Sequence, residues 1–221
     1  MVTLNNYGGY SASRYLKAEI SYSSGTSLSW KMTVMSGSSE FYSTGPTTLY
    51  INDKLVSETA RLYASNYNGT SKKAFPVGPA GQYIEGTYDV GTYGNIPISF
   101  STAIYNTTQE TQTGSIDIYK ISYNANGGSG TNPGTHYTSS GITTAIKSNT
   151  FTKAGYNFAG WTTNSNGTSD GNGWTNWSGS WGNWNGTYGI SNYALTLYAR
   201  WTPKTPTITY KANGGSGADY T

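Results

Sequence analysis

Four tryptophans, Trp174, Trp177, Trp181 and Trp184, are set among Ser, Asn and Gly between Gly173 and Gly186, and they are the side chains here best suited to holding a ligand. Indole faces stack on the apolar faces of pyranose rings, and neighbouring Asn amides can bond sugar hydroxyls. Spacings of three, four and three would align the four rings on a helix, but Gly179 and Gly182 between them oppose a stable helix. An irregular loop or a twisted hairpin is therefore expected. Two roles stay open: a sugar-stacking platform, or a small satellite core that orders the insertion on its own module.

Other constellations are weaker. Glu85 and Asp89 lie four apart, which on a strand directs both to one face, so a carboxylate pair of the glycosidase kind is formally available. They are read as solvated edge residues. His136 is the single histidine and the chain has no Cys, so neither a catalytic triad nor a metal cluster has its partners. Asn-Gly-Gly-Ser-Gly, at 126–130 and 213–217, superficially looks like a phosphate cradle but lacks the Gly-Lys-Ser/Thr ending. Its glycines supply the positive φ that a tight turn needs. No catalytic residue, nucleotide site, metal or cofactor follows, and the protein is read as not an enzyme.

Composition narrows the class. Charged residues make up 10% of the 221, far below the roughly 25% of average globular chains, whereas 21 Tyr and 7 Trp exceed what a disordered chain carries. A folded all-β to β-rich protein is expected. The net charge of +3 is spread thinly, with Lys72-Lys73 an isolated basic pair, so there is no footprint for nucleic acid. No stretch has the length and apolarity of a membrane span, and the start at Met1 has neither a basic nor an apolar leader region, so neither membrane insertion nor a signal peptide is expected. Zero Cys leans towards a bacterial or viral product.

Residues 17 to 119 read as short strands separated by polar turns. Leu28, Trp30, Met32 and Val34 alternate with Ser29, Lys31 and Thr33, the period of a half-buried strand. Thr48–Ile51 and Lys54–Val56 flank Asn52-Asp53, two residues that tolerate left-handed backbone, which predicts a tight hairpin. Further strands are expected near Arg61–Ala64, Gly86–Val90, Pro97–Tyr105 and Ser115–Tyr119, with Pro97 at the start or edge of its strand. This spacing predicts an N-terminal β-sandwich, Ig-like or jelly-roll, over 1–119.

A phrase then repeats. Ile-Ser-Tyr-Asn-Ala-Asn-Gly-Gly-Ser-Gly from Ile121 recurs as Ile-Thr-Tyr-Lys-Ala-Asn-Gly-Gly-Ser-Gly from Ile208, an offset of 87 residues, which is the mark of a modular array. One module is placed at 120–202, a Pro-bearing linker at 203–206, and the start of a second, truncated module at 207–221. Ile142–Lys147 is expected to be a short helix or an irregular crossover. Phe151–Trp161 is expected to be a turn and strand, and Leu195–Trp201 the last strand. Tyr123–Gly128, Phe151-Thr-x-x-Gly-Tyr-x-Phe-x-Gly-Trp161 and Leu195-Thr-Leu-Tyr-Ala-x-Trp201 occur in that order. Together they resemble the Listeria–Bacteroides repeat, the B-repeat of internalin-type surface proteins. The resemblance implies a small β-grasp-like fold used in tandem on bacterial surface proteins and in phage tail proteins. The Trp-rich insertion around 170–190 departs from it.

The N-terminal half resembles minor structural proteins of long-tailed phages of Gram-positive hosts, through Thr48–Val56, Gly86–Val90 and Ile96–Phe100. These resemblances imply a virion structural protein (tail, baseplate or tail fibre) displaying repeat modules for host attachment. Its partners would be other tail proteins and itself, as a trimer or hexamer, with host cell-wall glycan as a ligand. A bacterial cell-wall adhesin, located at the cell surface, is the alternative, and a carbohydrate-binding module the second.

Overall fold

The alternation at Leu28–Val34 is realised as an inner strand in the computed structural model of the chain, which describes residues 1–11, 14–36, 47–59, 83–103, 109–140, 142, 144–168, 183–184, 193–211 and 213–217. In chain order the strands are β1 (Val2–Ser11), β2 (Arg14–Ser24), β3 (Ser27–Ser36), β4 (Thr47–Ile51), β5 (Lys54–Thr59), β6 (Tyr83–Asp89), β7 (Gly94–Thr102) and β8 (Glu110–Asn124). There follow β9 (Ser129–Gly130), β10 (His136–Ser139), β11 (Thr144–Ala145), β12 (Phe151–Thr152), β13 (Tyr156–Thr162), β14 (Asn183–Trp184) and β15 (Ala194–Pro203). The described residues contain no helix, and the expectation of an all-β chain holds. Of the expected strands, Arg61–Ala64 and the end of Pro97–Tyr105 lie outside the described residues.

Two compact units divide the chain. The first comprises Met1–Ile121, Thr135–Thr144 and Asn185–Leu195, and the second Ser122–Gly134, Ala145–Trp184 and Thr196–Thr221. Two segments of the span read as the repeat module are thus grouped with the first unit.

The first unit is a β-sandwich. One antiparallel sheet has the order β1-β2-β3-β6; the other runs β8-β7-β4-β5, with β10 also paired to β8. Leu4, Leu16, Ile20, Leu28 and Met32 from the first sheet pack with Leu49, Ile51, Ile96, Ile98, Phe100, Ile116 and Ile118 from the second. Each fully buried Leu, Ile or Phe contributes about 1.5–3 kcal/mol, so this core carries the unit. On β1 the inward parity Val2, Leu4 continues with Asn6, which is fully buried. Its amide donates to the carbonyls of Phe100 (3.3 Å) and Glu110 (2.9 Å), which offsets the cost of burying it.

The predicted hairpin is present: Ile51 pairs with Lys54 across a two-residue turn, and both Asn52 (φ 52°) and Asp53 (φ 58°) are left-handed. Pro97 corrects its expectation. It is neither at the start of its strand nor on a sheet edge; it is the fourth residue of β7, which is bonded on both sides. The Pro97 carbonyl accepts the Asn52 N–H at 2.8 Å. In an antiparallel strand a residue's N and C=O face the same neighbour, so the missing Pro97 N–H would point at the turn, where no ladder carbonyl is lost.

In the second unit β13 pairs with β15, with a bulge between Phe158 and Gly160, and β12 pairs with β9. Ile142 and 144–147 take the irregular alternative, with only the two-residue β11 in regular structure, paired to β14. β15 runs through Pro203, which pairs with Tyr156, and the Lys204 N–H donates to the Gly155 carbonyl at 2.8 Å. The Pro-bearing segment is therefore held at its first two residues.

Candidate functional site

The repeat's signature residues converge on one aromatic cluster. Trp161 packs against Tyr123 (ring centroids 4.8 Å), Phe158 (5.1 Å) and Phe151 (6.1 Å), and Phe158 packs in turn against Trp201 (5.8 Å). Their polar tips bond to main chain: Trp161 Nε1 donates to the Lys147 carbonyl (3.2 Å), and Trp201 Nε1 to the Ala125 carbonyl (2.9 Å). The Tyr123 hydroxyl accepts the Lys147 N–H at 2.7 Å, and burial pushes its pKa well above that of an ordinary tyrosine.

The glycine-rich phrase is docked on β15. Asn126 and Gly127 are both left-handed (φ 49° and 79°), as the turn requires, and the Asn126 amide donates to the Ala199 carbonyl at 2.9 Å. Gly128 lies where a Cβ would come within 2.7 Å of the Trp201 ring and 2.8 Å of the Thr152 carbonyl. In the second copy of the phrase Asn213 and Gly214 have the same left-handed backbone (φ 43° and 93°). Yet Ile208 and Tyr210 are 62% and 67% exposed, whereas their counterparts Ile121 and Tyr123 are 0% and 5% exposed. The turn is encoded locally by Asn-Gly; the burial is supplied by the rest of a module.

Glu85 and Asp89 share the exposed face of β6. Asp89 accepts the Thr26 hydroxyl and the Gly91 N–H (2.9 Å), and those bonds, the Thr26 one foremost, hold its carboxyl below the usual carboxylate range. Glu85 stands in a cross-strand row with Lys31 and Glu19, which lines a groove of about 620 Å³ with Ser21, Ser29 and Thr87. The Lys31 ammonium lies 3.5 Å above the Tyr83 ring, and Glu19 is paired with Lys17 at 3.0 Å. His136 sits on β10 opposite Ile121. Trp174, Trp177 and Trp181 lie outside the described residues. Trp184 is on β14, whose backbone pairs with β11.

The signature residues thus stack, dock and cap within one module. Residues 119–200 match the family model of the Listeria–Bacteroides repeat domain. The chain therefore contains one such repeat, at the position its three motifs indicate. No curated protein and no solved structure matches the chain. The resemblance of the N-terminal half to phage tail proteins rests on its own sequence segments alone.

A feature that sequence reasoning missed is the outer face of the second sandwich sheet. There the Asn95 amide donates to Asp117 (2.7 Å) and Ser115 (2.9 Å), and the Tyr119 hydroxyl donates to the other Asp117 oxygen (3.3 Å). The Tyr119 ring stacks on Tyr193 at 5.7 Å, and burial, then Asp117, raises its pKa. The outward parity of β7 and β8 was legible, but which residues become cross-strand neighbours is set by register.

Proposed function

We propose that the protein is a non-enzymatic structural protein that displays a Listeria–Bacteroides repeat module for contact with a cell surface. Its setting is the tail of a phage virion; a bacterial cell-wall protein is the second reading, favoured by the common surface association of the repeat family. The observation that carries the reading is that the module's signature residues are engaged in its own packing. Tyr123, Trp161, Trp201 and Gly128 stack, cap or make room for one another, and none is left with a polar tip facing a ligand. Asp89, one half of the sequence's carboxylate pair, is engaged in a turn with Thr26 and Gly91. The low charge further supports recognition through short-range contacts, since long-range steering needs charge. Such contacts are weak singly, so a trimeric or hexameric assembly with other tail proteins would supply avidity.

Mass spectrometry of purified virions and of washed cell walls from the encoding strain tests this. The protein is expected in virions at the copy number of a tail component. Recovery in cell walls alone would move it to the adhesin reading, and confinement to the cytosol would overturn both.

A further inference from the structure

The outer face of the sheet β8-β7-β4-β5 carries a graded set of side chains that the packing of the sandwich does not use. Register places Leu55, Tyr50, Ser99 and Thr113 as successive cross-strand neighbours, and Tyr50 and Leu55 are 37% and 47% exposed. Further along β7 and β8 come Pro97 beside Ser115 and Asn95 beside Asp117, followed by Tyr119 stacked on Tyr193. An aromatic and aliphatic pair thus marks one corner, an aromatic stack the other, with hydroxyls and an amide between them. Strand spacing and rise put about 20 Å between Tyr50 and Tyr119 along this face, the length of about four linked sugar rings.

The polar middle is ordered yet not exhausted. Asn95 gives both amide protons, to Ser115 and Asp117. Its carbonyl oxygen remains able to accept, and the Ser115 hydroxyl retains a proton to donate. These groups are held in place by one another, so little side-chain freedom is lost when a ligand arrives. The charge pattern selects the ligand. The charged residues among those described here are Asp117, engaged by Asn95 and Tyr119, and, towards the β5 edge, Glu58, which pairs with Thr48. With carboxylates and no cation among the described residues of the face, an anionic polymer is repelled, whereas a neutral one is not.

We propose that this face is a binding site for a linear neutral polysaccharide, with Tyr50 and the Tyr119–Tyr193 stack against sugar rings and Asn95 and Ser115 on sugar hydroxyls. The proposal rests on the reading of the protein as one that contacts cell surfaces, and it names the ligand class and the site.

Affinity electrophoresis of the full chain through gels containing dextran, mannan or galactan, with poly(glycerol phosphate) as an anionic control, tests it. At least one neutral polymer should retard the wild type, the anionic polymer should not, and Y50A/N95A should lose the retardation at least tenfold. Both residues are exposed, so the variant's fold can be checked by an unchanged unfolding midpoint. Retardation by none of the neutral polymers overturns the proposal. So does retardation that survives Y50A/N95A but is lost in W177A/W181A, which would place binding on the tryptophan cluster. Binding of labelled protein to intact host cells serves as the separate readout. Cells bound equally by wild type and Y50A/N95A would remove this face while leaving surface contact in place, and cells bound by neither would count against surface contact itself.

Discussion

Tyr123 and Trp161 pack ring against ring at 4.8 Å and between them take up both backbone polar groups of Lys147. The segment 146–149 has no strand partner, so its N–H and C=O groups need side-chain partners where they are buried. Removing the acceptor should therefore be costly out of proportion to one oxygen atom. Tyr123→Phe keeps the ring and orphans the Lys147 N–H, and a loss of about 1–3 kcal/mol is expected. Urea unfolding of the full chain, followed by tryptophan fluorescence, measures it.

The same hydroxyl makes the repeat sensitive to alkali. Burial raises the Tyr123 pKa in the folded state, more than the bond from the Lys147 N–H lowers it, while in the unfolded chain it stays near about 10. A raised folded pKa means that the stabilisation is fully present below the unfolded value and is lost as pH climbs towards the folded one. The urea midpoint should hold up to about pH 9 and fall above about pH 10. In Tyr123→Phe the fall should be shallower. Parallel curves for the two proteins would show that another group causes it.

Gly128 offers a test in which the chain supplies its own control. A Cβ there meets the Trp201 ring at 2.7 Å and the Thr152 carbonyl at 2.8 Å, so Gly128→Ala forces backbone and indole apart. Overpacking of this kind costs about 1–3 kcal/mol. Gly215, its counterpart in the second copy of the phrase, is exposed, and Gly215→Ala should stay within about 0.5 kcal/mol of wild type. Equal effects would mean that the glycine serves the turn and not the packing.

Much of this was legible in the chain, and the exceptions have physical causes. The Asn52-Asp53 hairpin and the repeat motifs declared themselves because short-range backbone preference fixes a left-handed turn, wherever the segment packs. β1 escaped notice because its third inward position is Asn6, whose burial depends on the carbonyls of Phe100 and Glu110, roughly a hundred positions away. Pro97 misled because its compatibility with an inner strand depends on where β4 turns. Along β8 the buried positions change from even (Ile116, Ile118) to odd (Ile121, Tyr123), a shift that comes with the long strand's change of partners and not from a local pattern. The Tyr50–Asn95–Tyr119 face required the register of four strands, which no local pattern supplies.

Asp89 should titrate as a turn cap. The Thr26 hydroxyl and the Gly91 N–H both favour its ionised form, so its folded pKa lies below the unfolded value of about 3.9. Its contribution is present above that value and is lost as pH falls through the folded pKa. Carboxyl-carbon NMR titration should place Asp89 below the ordinary aspartate range. Thr26→Ala, which removes the larger of the two causes, should move it back towards that range. An unchanged titration would assign the depression to the Gly91 N–H.

The last prediction concerns Lys120, which sits where the N-terminal span and the repeat meet in sequence. A strand that leaves one segment and enters the next without Pro or Gly leaves no slack for a protease to capture. β8 is continuous from Glu110 to Asn124, Lys120 is half-buried within it and pairs with Tyr137 of β10, and its N–H donates to the Tyr193 carbonyl at 2.9 Å. Cleavage needs an extended, unpaired backbone of several residues, so cutting at Lys120 demands that these bonds open first. Lys211 is exposed and lies beyond the end of β15. Under limiting trypsin, cleavage after Lys211 should precede cleavage after Lys120 by at least tenfold in rate, read by intact-mass spectrometry. Early appearance of a fragment ending at Lys120 would mean that the strand opens locally at that point, contrary to its bonding.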